Sequence, residues 1–250
     1  MSEVALPERY DVTPWNIDGA MRYWHVIQQI RDLYRPGLDV LEVGSGSGGV
    51  TEFLAHPVTG VDTAFERTAE RTTPYLTPVE ASATELPFDA ASFDVVLCCE
   101  MVEHLPHGAR APAFSEMFRV LRPGGRMVVT FPADEAARKL DTWLNGAYRR
   151  RHGKDHPWAV EHLEHGVPRT SEIEALVLGV VGQAAEVTIR KHAWAPAWKL
   201  HMALFSVERG YPWTRAAGIH TKPTAKLLFR VLRHLNGGEC YRTVVVVSKR

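Results

Sequence analysis

Short apolar runs alternate with longer amphipathic stretches through the first half of the chain. Residues 16 to 34, NIDGAMRYWHVIQQIRDLY, place Met21, Trp24, Ile27, Ile30 and Leu33 at helical spacings, and Pro36-Gly37 ends the pattern. The run 38-LDVLEV-43 has the length of a buried strand and leads directly into GSGSGG, after which 50-VTEFLA-55 returns to helical spacing until Pro57. A second apolar run, 58-VTGV-61, stops at Asp62. It is followed by 92-SFDVVLCC-99, the helix-like 113-AFSEMFRVL-121, a turn at 122-RPGG-125 and the strand-like 126-RMVVTF-131. Strands that alternate with helices predict an α/β fold with a mostly parallel sheet, because parallel neighbours need crossover helices and those helices cover both faces.

Beyond Phe131 the periodicity predicts a helix over 134 to 150, a stretch rich in histidine and proline to 169, and a helix over 171-SEIEALVLGV-180. Strands over 185 to 191 and 241-YRTVVVVSK-249 flank an insertion, 193 to 240, with two helical patterns and Trp194, Trp198 and Trp213. So many apolar residues predict a small helical lid and not a linker. The expected organisation is one domain: an N-terminal helical segment over 1–36, a core over 37–192 and 241–250, and the lid over 193–240. A chain of 250 residues is large enough for one such core.

Charge narrows the partners. Lysine plus arginine number 29, as do aspartate plus glutamate. No global field then favours nucleic acid or an anionic membrane surface. The cysteines are an adjacent pair, Cys98 and Cys99, and a distant Cys240, a spacing that suits neither a disulfide framework nor a zinc site and predicts a reducing cytoplasm. The opening MSEVALPERYDV has no apolar signal region, and no later run has the length of a membrane span.

The candidate chemistry starts at 44-GSGSG-48. Gly44, Gly46 and Gly48 let the backbone turn tightly and approach a ligand closely. Gly44, Gly46 and Gly49 also satisfy the GxGxxG pattern of NAD-binding turns, so the turn alone does not choose a ligand. No lysine stands in it, which argues against a P-loop. Asp62, at the end of the second strand, is placed to accept hydrogen bonds from ribose hydroxyls. Glu42, beside the turn, suits a cationic ligand and would repel a pyrophosphate; it serves equally to order the loop.

Taken together, 39-DVLEVGSGSGGVTEFLA-55, 60-GVD-62, 85-ELPFDAASFDVVLCCEMVEHL-105 and 119-RVLRPGGRMVVTFP-132 resemble the successive motifs of class I S-adenosylmethionine-dependent methyltransferases, in family order and spacing. The resemblance covers about residues 38 to 132. It implies a Rossmann-like, seven-stranded sheet and S-adenosylmethionine as cofactor. Glu42, Gly44, Gly46 and Gly48 would surround the methionine and ribose, Asp62 would hold the ribose hydroxyls, and Thr63 would border the adenine. Ser82 stands where the family usually has an aspartate that accepts from the adenine amino group; its hydroxyl accepts less strongly, and the amides of Ala83 and Thr84 offer a second way to read the ring edge.

Methyl transfer is an in-line displacement, so the enzyme contributes chiefly alignment, with a base only where the acceptor must lose a proton. Glu100, Glu103 and His104 follow the fourth strand onto the ligand rim of an open α/β sheet. Glu100 is expected to touch the cofactor, and His104 is the candidate general base or, alternatively, a loop-ordering residue. The stretch 152-HGKDHPWAVEHLEHG-166 carries His152, His156, His162 and His165, but no HExxH spacing, and the expectation is no metal. Two fragments, 161-EHLEHGVP-168 and 240-CYRTVVVVSK-249, are similar to methyltransferases of polysaccharide and glycoconjugate biosynthesis, which implies a sugar hydroxyl or other small polar acceptor. The VEHL segment is also similar to quinone methyltransferases, which keeps a hydrophobic ring acceptor open. The readings from other classes are an NAD-dependent oxidoreductase and a non-catalytic cofactor-binding sensor or subunit.

Overall fold

The computed structural model describes residues 17–46, 48–65, 74–205 and 222–250. Seven strands form one sheet in the order β3-β2-β1-β4-β5-β7-β6: β1 Val40–Val43, β2 Val58–Asp62, β3 Leu76–Glu80, β4 Phe93–Cys99, β5 Leu121–Pro132, β6 Ala185–Trp194 and β7 Cys240–Lys249. The pairs from β3 to β5 are parallel, and β7 is antiparallel to both its neighbours. The expected mostly parallel α/β sheet is therefore present.

Side chains alternate across the pleat and divide the interior in two. Val40, Val95, Leu97, Cys99, Val128, Val244 and Val246 face a core that includes α1 (Ile17–Ile30), α3 (Asp134–His152) and two helices of the insertion, α6 (Ala195–Phe205) and α7 (Lys222–Leu232). Leu41, Val43, Val96, Cys98, Met127, Val129, Val245 and Val247 face the other core, closed by α2 (His107–Val120) and α5 (Thr170–Val181). Burial on both faces explains why the central strands read as continuous apolar runs. In α1, Met21, Ile27 and Ile30 are buried as the helical spacing predicts, and Trp24 and Leu33 pack at the margin. Among the described residues no helix is long and apolar enough to cross a membrane.

Four local expectations change. β3 has no apolar run: only Leu76 of LTPVE is buried, and Pro78 fits because an edge strand can omit a ladder donor. The expected helix over 50 to 55 is a single 3-10 turn, Gly49–Glu52, since Gly48 and Gly49 open it and Pro57 closes it. Helix α2 begins at His107, six residues before its apolar face. The RPGG segment is carried within β5, where the register with β4 shifts between Phe93 and Val95. The insertion is helical as expected; Trp198 is 2% exposed and Trp194 38%, and Trp213 lies outside the described residues.

Two histidines from distant parts of the chain, the half-buried His25 and the buried His192, meet in the interior. The His25 and His192 rings lie 4.0 Å apart, and burial, with Arg242 and His234 nearby, lowers the His25 pKa from 6.5 to about 4. His192 is also pushed well down, first by burial. A histidine held neutral in the fold but free to protonate when unfolded stabilises fully above about pH 6.5 and loses that contribution as pH falls toward 4. For His25 the loss amounts to roughly 3 kcal/mol. Urea unfolding at pH 7 and pH 4.5 is expected to show this fall, and His25→Asn to reduce it; a variant with an unchanged pH dependence would contradict the assignment.

Candidate functional site

The turn that follows β1 is tied to the end of β2 by three backbone donors. The amides of Gly44 and Ser45 both donate to the Val61 carbonyl, at 2.7 and 3.1 Å. Gly46 N donates to Asp62 Oδ2 at 2.9 Å, and Thr63 N donates to Asp62 Oδ1 at 2.8 Å. Each carboxylate oxygen of Asp62 is thus fixed by one amide and keeps a further lone pair for a ligand. Gly46 has φ +52°, a conformation that favours glycine, and a Cβ there would meet nothing within 4 Å. The open side of Gly46 is room for a ligand against the backbone.

Glu42 lies under this turn, fully buried. Its Oε2 accepts from Val50 N at 2.7 Å, and its Oε1 meets no donor among the described residues. Burial raises its pKa to about 8, partly offset by the Val50 amide, the Tyr23 hydroxyl and Arg22. The carboxyl thus orders the loop through the Val50 amide, the second of its two expected roles. Gly49 makes the arrangement possible: at φ +53° its Cβ would lie 2.1 Å from Glu42 Oε2. Gly44 packs against Met101 and Gly48 against Glu52.

Ser82 and Ala83 form the next wall. The Ser82 hydroxyl oxygen accepts from Thr84 N at 3.2 Å and lies 2.8 Å from Thr84 Oγ1, so it shapes its own turn. Ala83 is buried beside Leu86 in the second core.

Past β4 the chain supplies a second, acidic and aromatic group. Glu100 has φ +57°, and its amide donates to Thr130 O at 2.9 Å. Its carboxylate forms an ion pair with Arg242 on β7, 2.9 Å from Oε2 to Nε, both side chains under 10% exposed, and Oε1 has no hydrogen-bond partner among the described residues. The Arg242 guanidinium lies 4.0 Å from the Trp198 ring, and Trp198 stacks on Tyr241. Tyr241 donates its hydroxyl to Asp141 Oδ1 at 2.9 Å. The other oxygen, Oδ2, lies 3.1 Å from His162 Nδ1. His162 Nε2 is 3.9 Å from Glu103 Oε1, its ring 4.9 Å from that of His104, and His104 Nδ1 pairs with Glu161 at 3.1 Å. Burial, then the Glu100 charge, pushes the Glu103 carboxyl well up. Burial, then His162, pushes His104 down.

The structure thus brings Glu42, Gly44, Gly46, Gly48, Asp62 and Thr63 to one sheet edge, places Ser82 and Ala83 after β3 on that edge, and sets Glu100 and His104 after β4. The sequence reading named Trp198 as part of the lid but did not anticipate Asp141, Tyr241 and Arg242, whose approach depends on β7 folding back beside β5; the Tyr241-Arg242 pair at the head of a buried-strand pattern was the available signal. Of the four histidines in 152–165, His162 joins the site, and His152 and His165 are exposed.

Residues 41–129 match a family model described as a methyltransferase domain. The chain is 33% identical over 175 residues to 2-methyl-6-phytyl-1,4-hydroquinone methyltransferase of Synechocystis, covering 65% of this chain and 54% of that protein. It is 34% identical over 131 residues to ubiquinone biosynthesis O-methyltransferase of Paracidovorax citrulli, covering 44% and 53%. The chain spans about half the length of these curated relatives. Its fold resembles a SAM-dependent methyltransferase of Thermotoga maritima, titled a possible histamine N-methyltransferase, with TM-score 0.54, 18% identity and coverage of 93% and 91%.

The two glycines with open and blocked Cβ positions separate structure from binding. Gly49→Ala is expected to cost roughly 3 kcal/mol or more of stability, from a strained φ and collision with Glu42. Gly46→Ala should cost about 1 kcal/mol. Denaturant unfolding of both variants checks this, and equal losses would contradict the geometry.

Proposed function

From its membership of the S-adenosylmethionine-dependent methyltransferase family, we propose that this chain transfers a methyl group to a hydroxyl oxygen of a small molecule. The observation that carries the proposal is the Asp62 carboxylate, fixed by the Gly46 and Thr63 amides next to an open glycine turn. A carboxylate so oriented accepts two vicinal hydroxyl donors without reorganising, which is what a ribose presents. Gly44, Gly46 and Gly48 carry the backbone past the methionine portion, open on the Gly46 side, and Glu42 underneath, its pKa raised to about 8 by burial, orders that turn through the Val50 amide. Thr63, Ser82 and Ala83 border the adenine, with Thr84 N and Ser82 Oγ on its edge. Glu100, ion-paired with Arg242 after β4, is the further carboxylate that would touch the cofactor.

When bound, S-adenosylmethionine supplies a methyl carbon on a sulfonium, which an acceptor oxygen attacks in line. The chain's part is to align that oxygen and manage its proton, and the cluster of Glu103, His104 and His162 past β4 is the group available for it. The names of the relatives favour a hydroquinone-type ring over a sugar hydroxyl, and the neutral net charge is consistent with an uncharged acceptor.

Asp62→Ala is expected to weaken S-adenosylhomocysteine binding by about 1–3 kcal/mol, the loss of hydrogen bonds to a charged acceptor. Calorimetry reads this directly, and unchanged affinity would refute the ribose assignment. Transfer of isotope-labelled methyl into fractionated extract then identifies the acceptor. Label in a lipid-soluble ring compound supports the proposal, label in a glycan or polar metabolite moves the acceptor to the sugar reading, and tight binding with no transfer makes the chain a sensor or subunit.

A further inference from the structure

We propose that Glu103, His104 and His162 form a binding site for one divalent transition-metal ion, with Zn²⁺ the ion whose preferences the donors match. Each residue offers one donor atom, and the three atoms lie within 4.8 Å of one another. Two imidazoles and one carboxylate make a borderline ligand set that suits zinc and its neighbours; Mg²⁺ prefers oxygen donors alone.

The surroundings are those of a ligand set and not of a chance cluster. A metal-bound imidazole needs its other ring nitrogen to donate outward, so that the bonding nitrogen keeps a free lone pair. Both histidines have such a partner. Asp141 Oδ2 lies 3.1 Å from His162 Nδ1, and Asp141 is itself braced by the Tyr241 hydroxyl at 2.9 Å. Glu161 lies 3.1 Å from His104 Nδ1. In His162 the nitrogen nearer Glu103 is Nε2, 3.9 Å from Oε1.

Glu103 supplies the independent observation. It is 1% exposed, and neither oxygen has a hydrogen-bond partner among the described residues. An unpaired buried carboxyl costs several kcal/mol as the anion. It sits where it does because β4 and the turn Val102–His104 deliver it there, beside two oriented imidazoles. A cation between the three groups resolves that cost. Around a tetrahedral ion with bonds near 2.0–2.1 Å, donor atoms stand about 3.4 Å apart, so the cluster must contract modestly, within the reach of side-chain rotation.

Three protein ligands leave a fourth position open, the arrangement of catalytic zinc sites. The site lies past the end of β4, on the same sheet edge as the glycine turn. If the chain is a methyltransferase, the open position takes the acceptor hydroxyl oxygen and the ion lowers its pKa, so that the O–H proton leaves to solvent before attack. In that form His104 holds the ion and is not the base. That use rests on the proposed function; the ion site does not.

The test uses the full chain, stripped with a chelator and titrated with Zn²⁺ against a chromophoric competitor, with S-adenosylhomocysteine affinity measured on the same samples. One tightly bound ion per chain is expected. Glu103→Gln and His162→Gln should each weaken it at least about 100-fold, Asp141→Asn about 10–100-fold, and His165→Gln not at all. S-adenosylhomocysteine binding should persist in the variants and reports that they are folded. X-ray absorption of the unmodified Zn²⁺ form does not depend on any variant, and should show two imidazoles and only nitrogen or oxygen donors. No stoichiometric ion, an ion indifferent to Glu103→Gln and His162→Gln, or sulfur in its shell would overturn the proposal. Loss of S-adenosylhomocysteine binding in the unmodified chain would instead count against the methyltransferase reading and leave the ion site standing.

Discussion

The bond from Gly46 N to Asp62 Oδ2 fixes the geometry on which the candidate cofactor site depends. It joins the turn after β1 to the end of β2, and it works because parallel pairing brings both strand ends to the same edge. The Val61 carbonyl reinforces it by accepting from Gly44 and Ser45. With the turn pinned from outside by Asp62 and from beneath by Glu42, its backbone faces open space at Gly46. The Asp62 carboxylate beside a glycine turn, with a buried acid beneath it, suits ribose hydroxyls and leaves no cationic side chain in the turn for a pyrophosphate, which is why the NAD alternative loses ground.

A second layer of constraint comes from the insertion. Helix α6 brings Trp198 over Arg242 and against Tyr241, and those two neighbours reach from β7 to Glu100 and Asp141. The acidic and aromatic group past β4 is therefore assembled from β4, α3, α4 (Pro157–His165), α6 and β7. The candidate cofactor site needs only β1, β2 and the loop after β3.

Much of the first layer was legible in the sequence. The continuous apolar runs of β1, β4, β5 and β7 marked buried strands, and the glycine turn and Asp62 were readable as neighbours, because parallel pairing of β1 and β2 brings their ends together. β3 was not legible, since an edge strand that buries Leu76 alone carries no hydrophobic signal. The turn Gly49–Glu52 was read as a longer helix because side-chain periodicity does not register the backbone strain that two glycines absorb. The link from His162 to Asp141, Tyr241 and Glu103 was beyond pattern reading, since four separate elements contribute and only the packing of α4 on α3 and of α3 on β7 brings them together.

A crystal structure of the chain with S-adenosylhomocysteine tests the central claim most directly. The account predicts both ribose hydroxyls on the Asp62 carboxylate, the homocysteine portion along Gly44 to Gly48, and the adenine edge at Ser82 to Thr84. Ligand bound away from Asp62, or ribose hydroxyls satisfied by other residues with the Gly46–Asp62 bond intact, would contradict it.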